Sequence, residues 1–205
     1  GVLFLLLTLS SVSFDGLMRT FFWLGHLGVN PLEFPGRSAV TTSSTLGLAG
    51  AFVVLGGAFY VAIALGERLA GKTGTTHAAA GVLVWSLVPI TSAYHLAHYL
   101  PSLVIDVQYA LAALADPFAT RQGLFGAPHL QVHAGVLMGA DRVFLVWNLQ
   151  AFAIVGGHLL AVLVAHVMAF RLHGSAKQVA RSQVPLAVLM VFYTVFGLWL
   201  LAAPN

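Results

Sequence analysis

Four long apolar segments dominate the pattern of hydrophobic and polar positions along the chain. They cover residues 39–66, 77–100, 143–170 and 184–203. Each segment meets the requirement of about 20 apolar residues for a helix that crosses the bilayer core. Residues 1–12 are equally apolar, and the chain begins inside this run at Gly1. We therefore expect a fifth, partial span and a longer parent protein.

The connections between these segments are unusually apolar. Residues 102–115 are too short to cross, so they either continue the second helix beyond Pro101 or lie at the membrane interface. The longer connections, 13–38 and 101–142, mix Gly and Pro with aromatic and aliphatic residues, which favours loops packed back onto the bundle. The predicted fold is all-α. It is a single polytopic transmembrane helix bundle over 1–205, with four full spans, one partial N-terminal span and two membrane-packed outward loops.

Composition supports a membrane protein. The chain is 59% hydrophobic and only 7% charged, whereas soluble domains carry about 25% charged residues. It has no cysteine, which excludes disulfides, iron–sulfur clusters and thiolate zinc sites. No run of Lys and Arg is long enough for a nucleic-acid footprint. The expected partners are the lipid bilayer and other membrane subunits or the rest of the parent protein.

Basic residues predict the orientation. The short turns after the first and third full spans carry Arg68, Lys72, Arg171, Lys177 and Arg181. The longer connections hold five of the six acids, which are Asp15, Glu33, Asp106, Asp116 and Asp141. By the positive-inside rule, the short turns are cytoplasmic, and the longer connections and the C-terminus face outward.

Polar side chains recur along one face of the second span, at positions i, i+3, i+4, i+7 and i+11. They are Thr91, Tyr94, His95, His98 and Ser102. Asp106 and Tyr109 continue this face if the helix extends past Pro101. An imidazole in hydrocarbon is costly unless it faces protein, water or a ligand. The stripe therefore predicts either hydrogen bonds to neighbouring helices or a pocket that binds a metal, haem or protons.

Further histidines fall outside this stripe. His129 and His133 have i, i+4 spacing and would present two imidazoles to one ion if their segment were helical. With His95 and His98 they form a four-imidazole set suited to copper or zinc. The alternative is that both are solvated or interfacial.

The third full span carries a ridge of small residues. Gly157, Ala161 and Ala165 recur every four residues, which is typical of a close-packing seam for another helix. His158 and His166 lie in the adjacent row and are candidate ligands of haem b or a pigment, although such a seam more often only lets two backbones approach.

The remaining charged residues have simpler interpretations. Asp15 and Arg19 are spaced i, i+4 and are expected to form an ion pair at the interface. Glu67 and Arg68 end the first full span, and we interpret both as flanking residues whose polar heads reach the membrane surface.

Five stretches carry a resemblance to known sequences. They are FDGL (14–17), NPLEFPGRSAV (30–40), AYHLAHYL (93–100), WNLQ (147–150) and RSQVPLAVLMVFYTVFGLWLL (181–201). On these stretches the chain resembles the C-terminal half of an uncharacterised family of multipass prokaryotic integral membrane proteins. The resemblance implies a longer parent protein and a location in the prokaryotic inner membrane, and it assigns no activity, cofactor or site.

The leading functional hypothesis is a membrane subunit or transporter-like protein. Its histidine-lined pocket would handle a cation, either a proton or a transition metal, or would pass electrons through bound haem. In the second hypothesis, the chain is a non-catalytic accessory subunit of a larger respiratory or photosynthetic complex. An enzyme acting at the outer interface ranks third, because no nucleophile or acid–base pair has a diagnostic spacing.

Overall fold

The computed structural model describes residues 1–33, 37–117 and 131–204. Its α-helices are α1 (Val2–Leu17), α2 (Phe21–His26), α3 (Thr41–Leu69), α4 (Thr76–Leu83), α5 (Leu87–Ala115), α6 (Ala140–Leu172) and α7 (Ala176–Ala202). Short 3-10 turns lie at Pro31–Glu33, Arg37–Val40, Val84–Ser86 and Ala134–Leu137. The described residues contain no strand, and the predicted all-α class is confirmed.

Four stretches of helix are long and apolar enough to cross a membrane, as predicted. They are Thr41–Leu69, Thr76–Ala115, Ala140–Leu172 and Ala176–Ala202. The chain is therefore a multipass membrane protein. Helix α1, with 16 residues, is the expected shorter fifth helix and is mostly apolar.

The second span continues through Pro101. Helix α4, the 3-10 turn and α5 form one stretch of 40 residues, so residues 102–115 continue the helix. Proline has no N–H to donate to the carbonyl four residues earlier, which here is that of Ala97. The side chain of Gln150 on α6 replaces this donor, with Nε2 donating to the oxygen of Ala97 at 2.7 Å. The amide thereby satisfies a buried carbonyl that the helix itself leaves without a donor.

The long helices pack side by side around a common core. Helix α1 lies between α3 and α5, α7 lies between α3 and α6, and α5 packs against α6. The α3–α4 and α6–α7 turns meet at one end, where Gln178 Nε2 donates to the carbonyl of Ala70 at 3.4 Å. We call this the turn end. The opposite end, where α1, α5 and α7 terminate, is the loop end.

The first long connection packs onto the loop end. The backbone N–H of Phe21 donates to the carbonyl of Pro204 at 3.0 Å, so α2 is tied to the residues after α7. Trp23 stacks edge-on against Phe14 at 5.2 Å, and Phe22 against Trp199 at 5.6 Å. These aromatic contacts hold α2 against the bundle, as the apolar composition of this connection predicts.

Small residues set the closest helix contacts. A Cβ at Gly157 would overlap with the methyl of Ala93 and lie 3.0 Å from the carbonyl oxygen of Pro89. The ridge beyond it is buried, with Ala161 at 0% and Ala165 at 2% exposure. Helices α5 and α6 therefore approach at backbone distance at Gly157, and the small residues that follow it on α6 are buried.

Glu67 corrects the interpretation of a flanking residue that reaches the membrane surface. Its side chain is buried, with Oε1 lying 3.1 Å from Nε2 of the fully buried His173, although the imidazole N–H is not aligned on that oxygen. Thr75 donates to Oε2 at 2.5 Å, and Lys72 donates to the carbonyl of Leu172. Glu67 misses the surface because the α6–α7 turn folds over the end of α3. Arg68 is exposed, as expected.

Candidate functional site

Three charged or titratable side chains meet near the loop end of α1. His98 Nε2 lies 2.6 Å from Oδ2 of Asp15, and Arg19 Nη2 lies 3.0 Å from the same oxygen. The second contact is the ion pair that the i, i+4 spacing predicts. Since a carboxylate only accepts hydrogen bonds, Nε2 of His98 carries the proton, and Nδ1 of the neutral ring is left with a lone pair.

Two clefts flank this group. Cleft 1 lies between α1, α5, α6 and α7, with a volume of about 440 Å³, and is lined by His98, Gly16 and Gln150 among others. Cleft 2 lies between α1, α2, α3 and α5, with a volume of about 680 Å³, and is lined by Asp15 and His95. Arg19 lines both clefts. The Asp15–His98 hydrogen bond therefore joins a side chain of one cleft to a side chain of the other.

The two histidines of the predicted stripe face different clefts. His95 lines cleft 2, where its Nδ1 lies 2.8 Å from the carbonyl of Thr91. Because that carbonyl only accepts, Nε2 of the neutral His95 ring has a free lone pair. The rings of His95 and His98 lie 6.1 Å and 4.7 Å from the ring of Tyr99. The structure thus brings both imidazoles to the loop end without placing them around one chamber.

Tyr94 belongs to the buried core beneath cleft 1. Its hydroxyl donates to the carbonyl of Tyr193 at 2.6 Å, in the space left by the missing side chain of Gly197. The hydroxyl of Tyr193 hydrogen-bonds Ser13 on α1. This network joins α1, α5 and α7 across the middle of the bundle. Tyr193 and Ser13 are members that periodicity within one helix does not reveal.

His158 lies beside this network. Its Nδ1 is 2.8 Å from the carbonyl of Ile154, and its buried Nε2 has no hydrogen-bond partner among the described residues. The rings of Tyr94 and Tyr193 lie 6.0 Å and 6.4 Å from the imidazole. His158 is among the lining residues of neither cleft, and its role as a ligand of haem or a pigment stays a prediction.

The other predicted site residues are spread along the surface. Ser102, Asp106 and Tyr109 are exposed on α5, and of these only Ser102 lines a cleft. Thr91 is half-buried and its hydroxyl has no hydrogen-bond partner among the described residues. His166 is exposed, with Nδ1 lying 3.3 Å from Nε2 of Gln183.

The predicted metal set is only partly within the described residues. His129 lies outside them. His133 lies in a non-helical stretch, where its backbone N–H donates to Oε1 of Gln108 at 2.9 Å. Within residues 1–33, 37–117 and 131–204, no three His, Asp or Glu side chains are grouped so that they could hold a metal ion. The four-imidazole set therefore stays a prediction.

No protein-family model, curated protein or solved structure matches this chain. The interpretation of the site accordingly rests on its own geometry.

Proposed function

We propose that this protein is a transporter-like membrane protein that handles protons, and that the Asp15–His98 pair holds the transferred proton. The observation that carries this proposal is the 2.6 Å contact between His98 Nε2 and Asp15 Oδ2 at the boundary of two clefts. Imidazole is the side chain whose charge changes most readily near neutral pH. A carboxylate hydrogen-bonded to an imidazole fixes its tautomer and stabilises its protonated form.

The geometry supports a direction for each proton step. The lone pair on Nδ1 of His98 accepts a proton from cleft 1. The proton on Nε2 then passes to Asp15, which lines cleft 2. Arg19 supplies the counter-charge to the carboxylate throughout. Each step moves one proton between adjacent atoms. After the proton leaves Asp15, His98 carries its remaining proton on Nδ1, so the ring must flip or exchange its tautomer before the next transfer.

Both clefts lie in the half of the bundle nearer the loop end. Toward the turn end, α6 presents the buried methyl groups of Ala161, Ala165 and Ala169, which offer no hydrogen bonds. Release of the proton on the other side therefore needs a second arrangement of the helices. From the basic short turns, we propose that the loop end and the C-terminus face outward from a prokaryotic inner membrane.

Proton flux through proteoliposomes tests this proposal. With a pH-sensitive dye inside and an imposed pH gradient, we expect wild-type protein to accelerate proton entry over empty vesicles. Asp15→Asn and His98→Gln should each lower that rate about tenfold, which corresponds to roughly 1.4 kcal/mol in a barrier.

The chain supplies matched controls for these variants. Asp106 and His133 are exposed residues of the same types that line neither cleft. Asp106→Asn and His133→Gln should leave the flux unchanged. If wild-type flux equals that of empty vesicles, or if Asp15→Asn lowers only the thermal stability, the accessory-subunit hypothesis is preferred.

A further inference from the structure

Cleft 2 opens on the flank of the bundle. Its floor is α1, whose residues Phe4 and Leu7 are 66% and 47% exposed. Ser11 and Asp15 follow Leu7 at intervals of four, so they lie on the same outward face of the helix. Both line cleft 2, with α3 and α5 as its side walls. The cleft therefore faces lipid, although its floor carries a carboxylate and a hydroxyl.

The walls of cleft 2 divide into an apolar and a polar part. Phe14, Met18 and Leu48 provide the apolar surface. His95, with its free Nε2 lone pair, and Tyr99, with its hydroxyl, provide hydrogen-bonding groups on α5. Such a division matches ligand sites in general, which are mostly apolar with a few polar groups that fix orientation.

The balanced charge of the polar part of cleft 2, and the residues that cover its loop end, limit the class of ligand that it can bind. The Asp15 carboxylate is balanced by Arg19 at 3.0 Å, so the polar part of the cleft offers no surplus charge to an ionic headgroup. Phe21, Leu24 and Pro31 line the cleft at the loop end, between its polar part and the surface. The volume of about 680 Å³ lies within the range of small-molecule sites.

We propose that cleft 2 binds a neutral, lipid-soluble amphiphile that has one apolar chain and a hydroxyl head. The hydroxyl donates to Nε2 of His95 and accepts from Arg19 or Tyr99, and the chain lies against Phe14, Met18 and Leu48. Arg19 keeps donors beyond the one used on Asp15, because a guanidinium has five. This binding does not depend on proton transfer between His98 and Asp15.

Photolabelling in nanodiscs tests the site with a defined probe, hexadecanol that carries a diazirine in mid-chain. We expect saturable labelling of Phe14, Met18 or Leu48, mapped by mass spectrometry. An excess of unlabelled hexadecanol should remove the labelling, and an equal excess of hexadecyl phosphate should not.

A matched pair of variants on α3 locates the site. Leu48→Trp fills the cleft and should reduce labelling at Phe14 and Met18 at least fivefold. Leu46→Trp places the same side chain on a position that is 69% exposed and outside the cleft, so it should change labelling little.

Three results would overturn the proposal. Labelling that rises linearly with probe would show contact with bulk lipid only. Equal competition by hexadecyl phosphate would show a site for charged lipid. Equal labelling of both tryptophan variants would place the probe elsewhere. His98 lines cleft 1 and not cleft 2, so His98→Gln removes the proton step without changing the lining of cleft 2. Labelling that stays saturable in this variant, whatever its proton flux, distinguishes this proposal from the proton-handling proposal.

Discussion

Single methyl groups decide how closely the helices of this bundle pack. Gly157 sits where α6 touches the backbone of α5, and Gly66 sits where α3 meets the backbone of Ser182 on α7. Gly156 has open space beside it, although it is the neighbour of Gly157 in sequence. A glycine count therefore says little about packing until the side that each glycine faces is known.

We expect Gly157→Ala to destabilise the protein and Gly156→Ala to leave it unchanged or more stable. The added methyl at 157 overlaps with Ala93, and overpacking costs about 1–3 kcal/mol. The methyl at 156 meets no atom within 4 Å and gains helix propensity of roughly 0.5–1 kcal/mol. Thermal unfolding of both variants in one detergent measures the difference. Equal melting temperatures would mean that α5 and α6 do not touch at this position.

The sequence predicts the two histidines of the candidate site, but it does not predict that Asp15 is the hydrogen-bond partner of His98. His95 and His98 are recognisable because periodicity within one helix places them on a polar face. Asp15 is 83 positions away from His98, and its contact depends on how α1 seats between α3 and α5. From the sequence, Asp15 has a local explanation in Arg19, and nothing in its spacing indicates an imidazole as well.

Helices α3 and α6 are joined at the turn end by a buried polar contact. Glu67 ends α3, His173 follows α6, and Thr75 precedes α4, so three elements converge on one carboxylate. Gly71 and Gly74 adopt positive φ values of 79° and 80°, which let the chain turn within a few residues. The polar contact thus fixes the turn against the end of α6.

Glu67→Leu should destabilise the bundle by about 1–3 kcal/mol, because it removes the acceptor of the Thr75 hydroxyl and the carboxylate beside the buried His173 ring. The neighbouring Arg68 is exposed, so Arg68→Leu is the matched control and should change stability little. Denaturant unfolding in micelles measures both. In the double variant Glu67→Leu/His173→Leu the loss should be smaller than the sum of the single losses. Additive losses would show that the two side chains do not interact.

The helix spans are predictable because lipid imposes a length that apolar composition alone reveals. The ends of α5 and α7 are harder to predict. Helix α5 continues to Ala115 because Gln150 satisfies the carbonyl that Pro101 frees, and that donor belongs to another helix. Helix α7 begins at Ala176, before the apolar run, since Ser175 caps it by accepting from the N–H of Gln178. Both helix ends depend on hydrogen bonds that cannot be predicted from the hydropathy pattern.

The whole molecule has two chemically distinct ends. The turn end brings together the short basic turns, and the loop end carries the clefts and the acids Asp15 and Asp106. This separation is what the positive-inside rule uses, and it makes the orientation testable in intact cells.

The absence of cysteine makes the wild-type protein silent to thiol reagents. Thr73 and Lys177 are exposed at the turn end, and Met138 is exposed at 78% before α6. With a membrane-impermeant maleimide on intact spheroplasts, we expect Met138→Cys to be labelled. Thr73→Cys and Lys177→Cys should react only after lysis. The reverse pattern would invert the proposed orientation, and labelling of all three before lysis would contradict a sealed multipass arrangement.

The helical stretch formed by α4, the 3-10 turn and α5 is longer than the hydrocarbon layer of a typical bilayer is thick. Forty residues rise about 60 Å, twice the roughly 30 Å of the hydrocarbon layer. The fourteen residues after Pro101 account for about 21 Å of this rise. These residues can move as a rigid segment about Pro101, where the Gln150 amide stabilises the helix by its hydrogen bond to Ala97. A tilt of about ten degrees at Pro101 would displace the end of α5 by about 4 Å. Loss of the Gln150 hydrogen bond would therefore produce a larger displacement in the residues after α5 than at Pro101 itself.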